Sequence, residues 1–264
     1  MRLIHYYLYN LRIHILRKFK LKRQYKKIGL ISTNLETYGY CNRKCDFCFN
    51  SNRFKQREKG IMPVATWEKI IDELSEMKFC GRISPHFYGE PLLDKRLPKL
   101  IMYARRKCPN AYILIVSNGD YLNEELFKIL IKNGVNQFSV TNYDDVEKTY
   151  LKMLVKKYPA HIIVKNYRDF HKTDRAGEIF DKRITLNISC LRPSAQLVVN
   201  WKGEVLLCCM DYYARCKFGN VNVQTISEIW NSKNFKRYRV KLQKGKREKI
   251  SICKYCDDSG KIPW

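Results

Sequence analysis

The chain has 264 residues and eleven cysteines, and 51 lysines and arginines against 25 acidic residues give a formal net charge of +26. That length can bury a full core and fits one large domain with an appendage, and no run of about 18 apolar residues offers a transmembrane helix. Cysteines clustered at metal-ligand spacings, in place of scattered bridges, imply a reducing, oxygen-poor cytoplasm.

Nine basic residues and no acid lie within residues 1–27, and nine more, against Glu248 alone, lie between Lys233 and Lys249. Such charge decorates solvated faces or attracts nucleic acid, anionic lipid or a phosphorylated substrate. Arg12, Arg17 and Lys18 interrupt any secretory leader. Leu3, Ile4, Tyr7, Leu8, Leu11 and Ile15 recur at helical spacing, so residues 1–30 read as a basic amphipathic helix. It can lie on a membrane surface, which would place the chain peripherally there, or pack back on the body.

The chain then alternates strands and helices. Asn34–Tyr38 reads as a strand, and Thr66 as the cap of a helix whose apolar face is Trp67, Ile70, Ile71, Leu74 and Met77. A strand over Ile83–Tyr88 contains Pro85, and Leu97, Leu100, Ile101 and Ala104 mark the next helix. Strands at Tyr112–Val116, Gln137–Thr141 and His161–Lys165 alternate with helices at Leu122–Lys132 and Asp144–Lys157. Repeating βα units predict a parallel sheet or barrel, with its chemistry on the loops after the strands. Near residue 185 the pattern becomes a hairpin of Gln196–Val199 and Glu204–Leu207, a short helix beginning at Ile226, Ile229 and Trp230, and a final C-x-x-C at Cys253 and Cys256.

Cys41, Cys45 and Cys48 stand at C-x3-C-x2-C spacing. Three thiolates fill three of the four ligand positions of a [4Fe–4S] cubane and leave one iron open for a small molecule, whereas structural zinc closes its shell with four protein ligands. With Phe47 before the last cysteine, the run resembles the radical S-adenosylmethionine (SAM) superfamily, in which the open iron chelates the methionine part of SAM. The resemblance implies a partial (β/α)6 TIM-like barrel, an α/β fold with a small C-terminal iron–sulfur appendage of β-hairpin and helix. The regions would be an arm over 1–30, a barrel over 31–184 and the appendage over 185–264. It gives Tyr88, Gly89, Glu90 and Pro91 the family's Gly-Gly-Glu-like turn, which binds the methionine amino group. A glycine there admits close backbone approach and a carboxylate can pair with an ammonium. Ser117 and Asn118 take the ribose-binding strand end, and Thr141 faces adenosine or substrate. Arg175, in an Arg-x-Gly element, binds the SAM carboxylate or a substrate oxygen.

Cys190, twelve residues, Gly203, four residues, Cys208 and then Cys253-x2-Cys256 form a second constellation. It resembles the SPASM extension in its single-cluster Twitch form, implying an auxiliary [4Fe–4S] cluster on Cys190, Cys208, Cys253 and Cys256, with Cys209 the adjacent rival of Cys208. Zinc is the alternative occupant of four cysteines. Cys80, Cys108 and Cys216 read as small buried hydrophobes. The stretches Gly81–Leu93, Ser117–Asp120 and Gly219–Asn222 look like the 2-deoxy-scyllo-inosamine dehydrogenase family of aminoglycoside biosynthesis, although Cys209-Met210-Asp211 has one carboxylate fewer than the Phe-Glu-Asp associated with it. The implied chemistry is cleavage of SAM to a 5′-deoxyadenosyl radical, hydrogen abstraction from a carbinol carbon, loss of the hydroxyl proton to a base, and an electron passed to the auxiliary cluster. Asp211 and His86 are the candidate bases. The expected partners are a small hydroxylated substrate, in an anionic or lipid-linked form that the charge favours, and a reducing donor such as flavodoxin or ferredoxin. A peptide maturase and an iron–sulfur nucleic-acid-binding protein are the competing readings, the last leaving the Tyr88–Pro91 and Ser117–Gly119 motifs idle.

Overall fold

The computed structural model describes residues 18–144, 148–169, 174–179 and 184–261. The first 17 residues of the arm lie outside this set; residues 18–28 are helical (α1). No helix among the described residues is long and apolar enough to cross a membrane.

Six parallel strands form the barrel wall: β1 (Ser32–Leu35), β2 (Arg82–Ser84), β3 (Tyr112–Ser117), β4 (Gln137–Asn142), β5 (Ile162–Asn166) and β6 (Gln196–Val199). Antiparallel β7 (Glu204–Leu206) and β8 (Lys217–Asn220) extend the sheet to the order β5-β4-β3-β2-β1-β6-β7-β8. The wall stays open between β5 and β8, as in a partial barrel. Its crossovers are α2 (Val64–Glu76), α3 (Leu97–Lys107), α4 (Glu124–Lys132) and α5 (Thr149–Lys157). Among the described residues no α-helix joins β5 to β6. The C-terminal hairpin begins inside the wall, because β6 pairs with β1 from Ser32↔Gln196 to Leu35↔Val199. Beyond it lie α6 (Ile226–Asn231) and α7 (Lys233–Gln243).

Apolar periodicity drives this packing. Trp67, Ile70, Ile71 and Leu74 of α2, Leu100, Ile101 and Ala104 of α3, and Phe127 and Leu130 of α4 are buried against the strands. Two local expectations fail for identifiable reasons. Pro63, with φ fixed at −56°, starts α2 before Thr66, whose hydroxyl instead donates to Asn222 Oδ1 at 2.7 Å. Strand β2 ends at Ser84 because Pro85 cannot donate to a ladder, which frees 85–94 as a loop at the strand end.

Candidate active site

The loops after β1, β2, β3 and β4 converge on a cavity of about 280 Å³. Cys41, Cys45, Cys48, Phe47, His86, Tyr88, Gly89, Glu90, Ser117, Asn118 and Arg175 all line it. Pro91 is buried behind Glu90 as the first residue of a 3-10 turn and does not line the cavity. Neither does Thr141, which hydrogen-bonds the lining Tyr143. Asp211 is also absent from the lining: its carboxylate accepts the backbone N–H groups of Arg215 (2.8 Å) and Cys216 (2.9 Å) and so ties down its own loop.

Glu90 is the hub of the ligand-binding turn. Its buried carboxylate accepts from Ser117 Oγ (2.8 Å), Asn118 N (2.9 Å) and Leu92 N (3.0 Å). Burial raises its pKa, and these three donors work against the rise. Glu90 thus fixes the Ser117–Asn118 strand end rather than offering a free anion. Asn118 in turn donates to Asn42 Oδ1 (2.9 Å) and approaches Cys41 Sγ (3.9 Å). The glycine at 89 has a steric cause, since a Cβ there would stand 1.8 Å from the Tyr38 carbonyl oxygen. Gly89→Ala should therefore push the turn off the cysteine loop, cost about 1–3 kcal/mol of stability and abolish SAM binding, measurable by thermal unfolding and equilibrium dialysis.

A charged clamp that sequence reasoning missed holds the cysteine loop from the other side. Arg43 makes a bidentate pair with Asp120 after β3 (2.6 Å for both contacts) and reaches Asp144 after β4 at 2.9 Å. Asn42 and Lys148 also donate to Asp120. Burial opposes ionisation of Asp120, but these donors outweigh it and hold its carboxyl far below the usual range. Beneath the loop, Phe49 stacks on Tyr212 at 4.5 Å, and the buried Glu36 pairs with Arg57. Phe47 stacks on Tyr167 (4.0 Å) and Tyr143 (5.6 Å), which also touch each other at 5.7 Å.

On the far wall, Arg175 lies over the Tyr88 ring at 5.4 Å, and the Tyr88 hydroxyl donates to Cys209 O at 2.9 Å. Arg175 and Ala176 adopt φ of +40° and +68°, a strain of about 1–3 kcal/mol each that surrounding structure must hold. The restraint comes from the C-x-x-C turn: Asp174 N donates to both Asp257 carboxylate oxygens (2.8 and 2.9 Å), and Gly177 fits against Tyr255.

The donors suit a cluster. Burial, then the neighbouring thiols Cys48 and Cys41, push the Cys45 thiol up to about 11, so the sulfurs crowd one another. Asn50 Oδ1 and His86 Nδ1 are buried in the same lining with no hydrogen-bond partner. Among the described residues no three His, Cys, Asp or Glu side chains close on one point to hold a single ion, and a cubane does not ask them to, since each thiolate binds a different iron.

Cys190, Cys208, Cys253 and Cys256 meet in a second, small cavity. Cys208 is pushed up by burial and then by all the neighbouring thiols. Cys208 and Cys209 separate cleanly: Cys208 lines this cavity and Cys209 lines the first. Two arginines missed in the sequence complete it, Arg192 paired with Asp258 (2.7 Å) and the fully buried Arg247. Cys108 is a buried hydrophobe packed against α2.

An open six-stranded parallel wall, three convergent thiols at its strand ends and an adjoining four-cysteine cavity together define a radical SAM enzyme with an added iron–sulfur region. Residues 35–185 match the radical SAM superfamily and residues 190–257 match the SPASM iron–sulfur cluster-binding domain. The chain belongs to the radical SAM superfamily, and its cofactors are SAM and [4Fe–4S] clusters. It is 33% identical over 229 residues to the S-adenosyl-L-methionine-dependent 2-deoxy-scyllo-inosamine dehydrogenase of Niallia circulans, covering 85% of this chain and 91% of the other. Among solved structures it is similar to BtrN in complex with AdoMet and 2-DOIA, with a TM-score of 0.81 at 33% identity over 87% of this chain and 94% of that one. The score against an open conformation of BtrN is 0.70, at 31% identity over 87% and 92% of the two chains. The AdoMet-bound anSMEcpe shares the fold, with a TM-score of 0.60 at 16% identity over 86% and 89%.

Proposed function

We propose that the chain is a radical SAM dehydrogenase that oxidises a hydroxyl-bearing carbon of an aminocyclitol, polyol, sugar or sugar conjugate to a ketone. The observation that carries this reading is the placement of Cys208 and Cys209 on opposite sides of one wall: the cavity holding Cys41, Cys45 and Cys48 ends at the partition of the four-cysteine cavity. Residues 31–184 serve as the SAM-binding unit and 185–264 as the second-cluster unit. Cys41, Cys45 and Cys48 would hold one cluster with an open iron, and Cys190, Cys208, Cys253 and Cys256 the other. The loaded cofactors supply one-electron hydrogen abstraction at carbon, with SAM leaving as methionine and 5′-deoxyadenosine.

The protein's own groups do the rest. The Tyr88–Glu90 turn and Asn118 position SAM, and Phe47, Tyr143 and Tyr167 give its adenine an aromatic flank. Arg175, held by the 174–179 loop, fixes a substrate oxygen. His86 is the better-placed base of the two candidates because it lines the cavity with its Nδ1 open, whereas Asp211 does not; burial and then the Arg82 charge drive its pKa down to about 3, so it is unprotonated at physiological pH and only weakly basic. Because protonation of His86 is disfavoured in the fold, the acceptor survives as pH falls below 6.5, the ordinary histidine value, and is lost only near its depressed pKa. A flavodoxin or ferredoxin is the proposed source of the priming electron, and the relatives' substrate the first to try.

The test is anaerobic turnover of cluster-loaded protein with SAM, dithionite and 2-deoxy-scyllo-inosamine across about pH 6–8. Methionine, 5′-deoxyadenosine and amino-ketone should form in equal amounts, with no limb near the ordinary histidine pKa. Deoxyadenosine without ketone from this or any other hydroxylated substrate would refute the dehydrogenase reading.

A further inference from the structure

A cavity larger than either cysteine cavity belongs to neither site. It is an open groove of about 710 Å³ at the N-terminal end of the barrel, where Gly29 and Leu30 lead into β1. Lys26 and Lys27 of α1 and Lys236 and Arg239 of α7 line it, and no carboxylate does. Lys26, Lys27 and Lys236 are exposed and form no ion pair among the described residues. Arg239 stacks on Trp230 at 4.2 Å and leaves Nε without a partner. Val240, 47% exposed, sits among these cations as an apolar contact point.

This groove backs directly onto the four-cysteine cavity. Pro193 faces the cysteines while Ser194 faces the groove; likewise Leu242 faces the cysteines and Gln243 the groove. Gln243 donates to Ser194 Oγ at 2.9 Å, and Cys190 N donates to Leu242 O at 2.8 Å. The backbone of one cysteine of that cavity is therefore one hydrogen bond from the helix whose outer face is the basic groove.

We propose that this groove docks an acidic electron-carrier protein, a flavin or iron–sulfur protein, that removes the electron each turnover leaves at the second cluster; this rests on the dehydrogenase reading. Oxidising a carbinol to a ketone releases two electrons and two protons. One electron and one proton leave as the hydrogen atom taken into 5′-deoxyadenosine. The second proton goes to the base, and the second electron to the second cluster. The docked oxidised carrier accepts that electron, with a solvent proton when it is a flavin, and the cluster returns to its oxidised state. Lipid and nucleic acid would also meet the charge, but neither would use the thin wall behind α7. A rim of unpaired lysines around an apolar point suits fast, salt-sensitive protein association.

The experiment compares wild type with Lys26→Glu/Lys27→Glu/Lys236→Glu and with a control, Lys99→Glu/Lys132→Glu/Lys156→Glu, at exposed sites on α3, α4 and α5. Cluster-loaded full-length protein, reduced with limiting dithionite, is mixed with oxidised flavodoxin, and reoxidation is followed by stopped flow. The groove variant should react at least about ten-fold more slowly, wild type should slow with salt, the control should match wild type, and dithionite-driven ketone formation should be equal in all three. An unchanged flavodoxin rate in the groove variant, or an equal loss in the control, overturns the proposal. So does lost retention on phosphatidylserine vesicles with flavodoxin kinetics intact, which would give the groove to a membrane. Failure of dithionite-driven ketone formation in wild type would instead strike the dehydrogenase reading.

Discussion

Replacing Cys41, Cys45 and Cys48 together by alanine is expected to take the iron content from about eight to about four per chain, with equivalent loss of sulfide, and to abolish dithionite-dependent 5′-deoxyadenosine formation. The loop should keep its course without the thiols, because other residues hold it. Arg43 is clamped by Asp120 and Asp144, Phe49 is fully buried, and Glu90 N donates to Tyr40 O at 2.8 Å. Loss of iron then reports ligation rather than unfolding, and an unchanged thermal midpoint of the metal-free proteins checks it. The four remaining irons belong to the second cavity, whose cysteines lie on separate segments beyond residue 189. Retention of all eight irons would place the ligands elsewhere. Stoichiometric zinc in the wild type would end the radical SAM chemistry altogether.

What the sequence made legible is what is local. Cys41, Cys45, Cys48 and Phe47 sit within eight residues, and the βα alternation is written in short apolar periods. The clamp on that loop is not local: Arg43 meets Asp120 and Asp144 across 77 and 101 residues, and nothing near Arg43 distinguishes it among 51 basic residues. Glu90 shows a related limit, since a carboxylate beside a glycine suggests a free anion, and only burial under Ser117 and Asn118 reveals a positioning role. The pair Cys208 and Cys209 is adjacent in sequence yet divided between two cavities, a distinction made by backbone direction after β7. Asp211 looked like a base for its place beside these cysteines, but two backbone amides claim its oxygens.

Arg247 carries the second large expectation. Within the basic run from Lys233 to Lys249 it resembles its neighbours, yet it is 1% exposed and lines the four-cysteine cavity. Its guanidinium donates to the carbonyls of Ile188 (2.9 Å), Cys256 (3.1 Å), Asp258 (2.7 Å) and Ser189 (3.4 Å), so it stitches both flanks of Cys190 and Cys256 together. Among the described residues no carboxylate forms an ion pair with it, and the Asp258 side chain is engaged by Arg192. A buried cation left unpaired is costly, and four thiolates on a cluster supply the missing negative charge. Arg247→Met keeps apolar bulk but strands four carbonyls, which should cost about 3–5 kcal/mol. The variant is expected to hold about four irons per chain and still cleave SAM, while ketone formation disappears. Arg247→Lys should fall between, keeping the charge but losing the planar fork that reaches both flanks. If Arg247→Met retained about eight irons and its thermal midpoint, the charge balance inferred for the second cavity would be wrong.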